Sequence, residues 1–395
     1  MSSVRPSRLP GVLAAFLLLA HAARAAPSPV LWSAALGAPI YSSPRAIAGR
    51  VVVASAQARG ANLFGLNPAS GAVLWRSATG GPIQTRPAVA GGQVFVTFDT
   101  GSVHHLRALD AADGTRLWDY LRDQPPECMC SHRATAGAGL LFTQTDGHSL
   151  YAFRPAGTAP SRRLWRFVGD GARLTQPVVA DGIVVFGSAD HHVYARDAST
   201  GAALWTARTG YGFVAPPRIL GQEVLAANRG GTLHAWALRT GRPLWSFAAA
   251  GPIDTAPVLV DGRVIVASQA RTVDALGPHG RLRWHLNLPD RVVGAPLPVG
   301  RRILLAGRDG VLRAVSVRTG RIRWQTPLGG VPLSGPRRLG AAVVVKVGDH
   351  AVAAFAAATG DRLWRFTSPA VLTAPAVAGD VALVGTSAGR VVALR

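Results

Sequence analysis

Residues 176–205 read QPVVADGIVVFGSADHHVYARDASTGAALW, and this stretch contains the signals that decide the fold. Runs rich in β-branched residues, such as Ile183–Phe186, alternate with turn signals, of which Asp181-Gly182 is the clearest. Such runs are typical of antiparallel strands joined by tight hairpins. With the strand that carries Trp205, the stretch predicts four short strands.

The same signals recur along the chain and predict a repeat protein. Nine tryptophans follow one another at intervals of 39 to 47 residues: Trp32, Trp75, Trp118, Trp165, Trp205, Trp245, Trp284, Trp324 and Trp364. Four strands in about 40 residues make one blade of a β-propeller. We predict an all-β fold of four-stranded antiparallel blades in one domain, residues 26–395. Nine units are counted, and eight with one irregular unit is the alternative.

The two ends of the chain are complementary. The last unit stops at Arg395, before any following tryptophan segment, whereas residues 29–32 supply such a segment at the start. Pairing of the terminal strands would close the ring and complete the last blade.

A characteristic turn precedes the tryptophans, and Asp197-Ala-Ser-Thr200-Gly201 is the most complete example. The units that end at Trp245, Trp324 and Trp364 keep Thr-Gly without the aspartate, and the unit that ends at Trp165 is degenerate. A side-chain acceptor followed by glycine favours a turn that ends in a residue with positive φ. We predict that the large apolar rings after these turns dock between neighbouring blades, and the alternative is a stacking platform for ligands. The docking residues are Trp75, Trp118, Trp165, Trp205, Trp245, Trp284, Trp324 and Trp364.

The pattern A-x-D-x-x-T-G-x-x-x-W, complete from Ala195 to Trp205, resembles the docking motif of the PQQ-like (pyrroloquinoline quinone-type) β-propeller repeat family. That family includes quinoprotein dehydrogenases and BamB-like outer-membrane assembly factors, usually with eight blades. The resemblance covers essentially the whole chain after residue 25. It implies the fold strongly and the function weakly, because this fold hosts enzymes and scaffolds alike.

The first 25 residues predict a signal peptide. Arg5 and Arg8 precede an apolar run over residues 11–20, and Ala23-Arg24-Ala25 matches a cleavage site. The run is shorter than the roughly 20 residues of a membrane span, and no lipobox cysteine lies near the cut. We expect a monomeric periplasmic or secreted protein.

The composition is strongly basic, with a net charge of +22 that falls to +19 without Arg5, Arg8 and Arg24. Arginine suits phosphate and carboxylate groups, so we expect an envelope protein or an anionic surface as partner rather than nucleic acid. Arginines crowd the segments before the tryptophans and predict a positive band on one rim, with ordinary solvated arginines as the alternative: Arg116, Arg162, Arg163, Arg242, Arg281, Arg283, Arg321, Arg323 and Arg362.

Cys128 and Cys130 are the only cysteines. In an oxidising compartment an even pair predicts a disulfide, here a staple in a long loop. The alternatives are a redox-active pair or a soft-metal site with His132, although three ligands are too few for a closed zinc site. Quinoprotein dehydrogenases carry an adjacent cysteine pair near their cofactor, whereas Met129 separates the two cysteines of this chain.

Histidines recur ten residues before the turn glycines, at His104, His191 and His350, and His148 stands at the equivalent place in the degenerate unit that ends at Trp165. Other units have glycine at this position, which indicates a hairpin turn, and histidine tolerates positive φ. A metal-binding or pH-sensing cluster is the alternative, extended by the adjacent His105 and His192.

The sequence favours a non-catalytic protein-binding scaffold without a cofactor. No residue is assigned as catalytic or metal-binding. Six of the 18 aspartates precede a glycine as turn residues, nothing groups Asp99 or Asp290 with a base or ligand, and no recognised catalytic motif is present. The alternative function is a PQQ- and calcium-dependent dehydrogenase of alcohols or sugars. A carbohydrate-binding module ranks third, with exposed aromatic residues expected at Tyr41, Tyr120, Tyr211 and Phe213.

Overall fold

The computed structural model describes residues 28–395 except 48, 58, 84, 102, 123–133, 145–147, 156–162 and 171. In this part of the chain, 36 strands form nine four-stranded antiparallel sheets, with one single-turn 3-10 helix at Pro278–Gly280. The all-β propeller and the count of nine units are therefore confirmed.

Each sheet is one blade, and its strands are called first to fourth in the order in which they pair across the sheet. Blades 1 to 3 consist of β2 (Arg45–Ile47), β3 (Arg50–Ala54), β4 (Leu63–Leu66) and β5 (Val73–Ser77); β6 (Ala88–Ala90), β7 (Gln93–Thr100), β8 (Val103–Asp110) and β9 (Arg116–Arg122); and β10 (Ala134–Gly137), β11 (Leu140–Gln144), β12 (Ser149–Phe153) and β13 (Arg163–Val168).

Blades 4 to 6 follow the same plan. They consist of β14 (Val178–Ala180), β15 (Ile183–Gly187), β16 (His192–Asp197) and β17 (Ala203–Arg208); β18 (Arg218–Leu220), β19 (Glu223–Ala227), β20 (Thr232–Ala237) and β21 (Pro243–Ala248); and β22 (Val258–Val260), β23 (Arg263–Ala267), β24 (Thr272–Leu276) and β25 (Leu282–Asn287).

Blades 7 to 9 complete the ring. They consist of β26 (Leu297–Val299), β27 (Arg302–Ala306), β28 (Val311–Ser316) and β29 (Ile322–Pro327); β30 (Arg337–Leu339), β31 (Ala342–Val347), β32 (Ala351–Ala356) and β33 (Arg362–Thr367); and β34 (Ala376–Ala378), β35 (Val381–Gly385), β36 (Arg390–Leu394) and β1 (Val30–Ala35).

The first strands of neighbouring blades contact one another, as β2 contacts both β6 and β34. These strands are therefore innermost around the central axis, and the fourth strands are outermost. Ring closure by the two ends of the chain is confirmed: β1 pairs antiparallel with β36, from Val30 opposite Leu394 to Ala35 opposite Arg390. The backbone N–H of Arg395 also donates to the carbonyl of Pro29 at 2.9 Å.

The core lies between blades rather than within one blade. All five residues of β15 are buried, and successive side chains of a strand point to opposite faces of its sheet. Ile183 and Val185 accordingly pack in the cluster around Trp205, whereas Val184 and Phe186 pack in the cluster around Trp165. A central strand is apolar on both faces because each face meets a neighbouring blade.

The loops lie at two ends of the propeller. In blade 4 the turn between first and second strands touches the turn between third and fourth, because the N–H of Ala198 donates to the carbonyl of Gly182 at 2.8 Å. We call this end the turn face. The other end, which we call the connection face, contains the hairpins between second and third strands and the connections between blades. The two are in contact in blade 4, because the N–H of Phe213, on the connection into blade 5, donates at 2.9 Å to the carbonyl of Ser188, in the hairpin.

Candidate binding surfaces

The tryptophans dock on the turn of the next blade. Trp205 of blade 4 is 9 % exposed, and its indole N–H donates to the carbonyl of Leu238 in blade 5 at 2.7 Å. Four further indoles make the corresponding hydrogen bond at 2.7–3.1 Å: Trp32 to Pro68, Trp75 to Ala111, Trp165 to Ala198, and Trp284 to Val317.

Within the described residues, the indoles of the other tryptophans do not make this hydrogen bond to the backbone of the next turn. Trp245 donates to a carboxylate oxygen of Glu223 at 3.3 Å. The ring of Trp324 lies over Gly360, and Trp118 packs between the rings of Phe95 and Phe153. Trp364 belongs to the cluster where the two ends of the chain meet, because blade 9 has no continuous turn between its third and fourth strands.

The turn glycines are required by this docking. Gly241 has φ +67°, and a Cβ atom there would lie 2.6 Å from Cγ of Trp205. Only glycine both adopts this backbone conformation without strain and leaves room for the ring. The aspartate of the turn accepts hydrogen bonds from residues of the same turn. The Ser199 hydroxyl and the Thr200 N–H donate to Asp197 at 2.6 and 2.8 Å and lower its pKa to about 2.

The cysteine pair and the signal peptide lie outside the described residues. Cys128, Cys130 and His132 fall within 123–133, and the cleavage site falls within 1–27. The disulfide and the cleavable leader therefore remain predictions.

The histidines do not share one environment. His191 lies in a hairpin turn with φ +77°, as the spacing predicted. His104 instead lies inside β8, opposite Asp99 of β7, because this hairpin is longer and turns at Gly101. The turn prediction is wrong for His104. In the described parts of the chain no three His, Cys, Asp or Glu side chains are grouped to hold a metal ion.

Two polar clusters were missed by sequence reasoning. Nδ1 of His285 lies 2.6 Å from Oδ1 of the buried Asp274, and this hydrogen bond raises the pKa of His285. In blade 4, the hydroxyl of Tyr194 donates to Asp190 at 2.8 Å, and burial, reinforced by that bond, raises its pKa. His285 and Asp274 are eleven residues apart in sequence, so only the register of β24 against β25 brings them together.

The arginine band lies where the third-to-fourth turns lead into the outermost strands, at the turn face. Apart from Arg162, which lies outside the described residues, its members are exposed. Arg116 approaches Asp119 at 3.5 Å and Arg163 approaches the hydroxyl of Tyr120 at 3.4 Å. Six members form no ion pair with any described acidic residue: Arg242, Arg281, Arg283, Arg321, Arg323 and Arg362.

The inner wall of the ring is also basic. The nine innermost strands contain Arg45, Arg218, Arg337 and Arg338 but no aspartate or glutamate. Arg45 is partly buried and the other three are exposed. Anionic molecules are therefore the ligands that this wall attracts.

The connection face exposes large apolar side chains on three consecutive connections. Tyr41 is 62 % exposed on the connection into blade 1, and Val371 is 43 % exposed on that into blade 9. Val331 and Leu333, each 48 % exposed, lie on the connection into blade 8. We call these four residues the apolar patch. Exposed apolar residues that are grouped rather than scattered are typical of protein-binding surfaces.

Of the other three aromatic residues expected in exposed loops, only Tyr211 has an exposed side chain. Tyr211 is 58 % exposed on the connection into blade 5, whereas Phe213 is 1 % exposed and fills the core between blades 4 and 5. Tyr120 is partly buried in β9. The expectation of an exposed side chain is wrong for Phe213, because its side chain packs into the core between two blades instead of facing solvent.

Relatives are found by sequence and by structure. The family model described as outer membrane protein assembly factor BamB matches residues 21–159, 130–212, 148–253, 214–286, 229–337 and 269–395. The outer membrane protein assembly factor BamB of Bordetella pertussis is 27 % identical over 284 residues, which are 65 % of this chain and 72 % of that protein.

The structural matches show the fold. The crystal structure of BamB from Moraxella catarrhalis matches with a TM-score of 0.57 and 18 % identity, over 92 % of this chain and 96 % of that one. The computationally designed Ika8 protein matches with a TM-score of 0.60 and 15 % identity, over 93 % and 99 %. No helix among the described residues is long and apolar enough to cross a membrane. The family model matches in overlapping segments from residue 21 to residue 395. The chain therefore belongs to the family of the outer membrane protein assembly factor BamB.

Proposed function

We propose that this chain is an exported, non-catalytic scaffold that binds protein partners during outer-membrane protein assembly. The observation that carries the proposal is the family match along the whole repeat array. The named relative is an assembly factor of the outer membrane.

The apolar patch is the surface that we assign to the protein partner. Its four residues occupy successive connections around blades 8, 9 and 1, so one partner can contact all of them. Burial of large apolar side chains drives association at about 25 cal/mol per Å² of apolar surface. The exposed arginine band lies at the opposite end and is free to meet an acidic partner or an anionic surface.

Complementation tests the function. The full chain, with its own first 25 residues, would be expressed in a Bordetella pertussis strain that lacks its BamB. We expect recovery of the levels of outer-membrane β-barrel proteins, because the BamB of that organism is a relative of this chain. N-terminal sequencing of the periplasmic fraction tests cleavage after Ala25. Cytoplasmic retention would contradict export, and normal export without recovery would contradict the assembly role.

A matched pair of variants tests the surface. Y41S together with L333S removes two large apolar groups from the patch, and we expect loss of complementation at normal protein levels. The control is L282S together with L363S, which removes two leucines (51 % and 53 % exposed) from the outermost strands β25 and β33. If this control is as defective as the patch variant, the connection face is not the specific surface.

The dehydrogenase alternative is tested on the purified protein. PQQ and calcium would be titrated while absorbance and dye reduction with alcohols and aldose sugars are followed. We expect no saturable binding and no turnover. One-to-one quinone binding with turnover would contradict the scaffold proposal, and the loop of Cys128 and Cys130 would then be the first place to mutate.

A further inference from the structure

Blade 8 contains the only lysine of the chain, at a position where the other blades have no charged residue. Lys346 lies in β31, two residues after the residue that pairs with Ala354, which in turn pairs with Trp364. The corresponding residues of the other blades, by the same strand register, are Ala54, Thr97, Gln144, Gly187, Ala227, Ala267, Ala306 and Gly385. All nine residues are buried. A long cationic side chain at this position is therefore a feature of blade 8 and not of the repeat.

This position faces the connection that leads into the following blade. A Cβ atom at Gly187 would lie 2.7 Å from Cβ of Phe213, in the connection into blade 5, and one at Gly385 would overlap the connection into blade 1. By the same register, Lys346 faces the connection into blade 9, which carries Val371 of the apolar patch.

Backbone hydrogen bonds place Lys346 between two parts of the apolar patch. The N–H of Leu333, on the connection into blade 8, donates to the carbonyl of Lys346 at 3.0 Å. The N–H of Leu372, next to Val371 on the connection into blade 9, donates to the carbonyl of Asp349 at 2.8 Å. The hairpin that begins after Lys346 is therefore held by both connections, and a positive charge lies among the apolar side chains that they expose.

The ammonium group of Lys346 has a weak counter-charge. Its side chain is 11 % exposed, and Nζ lies 3.5 Å from Oδ1 of Asp349, whose side chain is 60 % exposed. Within the described chain, no other acidic residue forms an ion pair with Lys346. A solvent-exposed partner contributes little, whereas a buried charge is costly unless it is well paired. A carboxylate that also excluded water from Lys346 would pair with it more strongly than Asp349 does.

We propose that the partner segment bound by the apolar patch carries an acidic side chain, and that its carboxylate binds Lys346 between Leu333 and Val371. The apolar contacts supply affinity, and the lysine selects among apolar segments. A segment without an acid would cover Lys346 and leave its charge desolvated and unpaired, which is costly. This inference rests on the assignment of the patch to a protein partner, and it specifies the chemistry of that partner.

Fluorescence anisotropy of two labelled peptides, titrated with the purified full chain, tests this selection. Both peptides have blocked ends and leucine, valine and phenylalanine around a central residue, which is glutamate in one and glutamine in the other. We expect the glutamate peptide to bind about tenfold more tightly or better, as close charge pairs in interfaces do. K346M should bind both peptides equally. The matched control R308Q removes an exposed arginine from the corresponding hairpin of blade 7, and it should keep the preference for glutamate.

Four results would overturn the inference. Equal binding of the two peptides would leave the patch as a binding surface and remove the role of Lys346. Absence of binding by either peptide would refute both the role of Lys346 and the assignment of the patch. Equal loss of the preference in R308Q and K346M would mean diffuse attraction to a basic surface. Lower stability of K346M in urea, with the preference unchanged, would assign Lys346 to the fold. Failure of complementation alone would contradict the assembly role and leave this selection standing.

Discussion

Replacement of Gly241 by alanine tests the docking of one blade on the next. Gly241 has φ +67°, and a Cβ atom there would lie 2.6 and 2.7 Å from Cγ and Cδ2 of Trp205. Gly262 is its natural control. It has φ +66° in a turn of blade 6, and nothing lies within 4 Å of the position of its Cβ atom. The two substitutions therefore share the backbone strain and differ in the contact with the tryptophan.

The magnitudes follow from these distances. A left-handed conformation costs an L-residue about 1–2 kcal/mol relative to glycine, so G262A should destabilise the protein by that amount. G241A carries the same strain and must also displace the Trp205 ring, which is 9 % exposed and held by the carbonyl of Leu238. Overpacking of this kind costs a further ~1–3 kcal/mol. We expect G241A to be the more destabilising variant by that difference.

Urea denaturation followed by circular dichroism measures both variants under one condition. A double-mutant cycle with W205A isolates the contact, since G241A should cost only its backbone strain once the ring is absent. Equal losses in G241A and G262A would refute the reasoning, as would full additivity of G241A with W205A. Either result would mean that the ring moves freely and that tryptophan docking does not set the spacing of blades.

Three further predictions concern individual side chains. R107M should destabilise the protein by about 1.5–3 kcal/mol in urea denaturation, because Arg107 is 9 % exposed and donates to Asp119 through two nitrogens at 2.6 and 2.9 Å, and its loss leaves that carboxylate only the exposed contact to Arg116. R116Q, which removes that 3.5 Å contact, should cost under about 0.5 kcal/mol. The pKa of His285 is raised by Asp274. The contribution of His285 to the melting temperature should therefore be complete below the ordinary histidine pKa and lost as the pH rises through the pKa in the folded protein. If the melting temperature of H285Q changed with pH as steeply as that of the parent protein, this expectation would be contradicted. The pKa of Asp197 is lowered to about 2, mainly by the Ser199 hydroxyl. The contribution of Asp197 to stability should therefore be complete above the pKa in the unfolded chain and lost as the pH falls through about 2. In a carboxyl NMR titration, S199A should raise the pKa of Asp197, and an unchanged pKa would contradict the assignment.

The sequence by itself determined the architecture, because a propeller is a repeat in which local signals suffice. The stretch 176–205 holds two tight turns, apolar runs and one tryptophan, and its recurrence predicts blades without knowledge of any distant contact. The closure by β1 and β36 was also predictable, since an incomplete last unit and a spare first strand can satisfy each other's backbone groups.

The tertiary structure alone decided which polar side chains meet. His285 and Asp274 pair through strand register, and the turn expected at His104 moved because β7 and β8 extend past it. Tyr41 and Val371 of the apolar patch are 330 residues apart in the sequence, and the closed ring makes blades 1 and 9 neighbours. Spacing along the chain reports local backbone conformation, whereas a binding site depends on distances that exist only after the ring has closed.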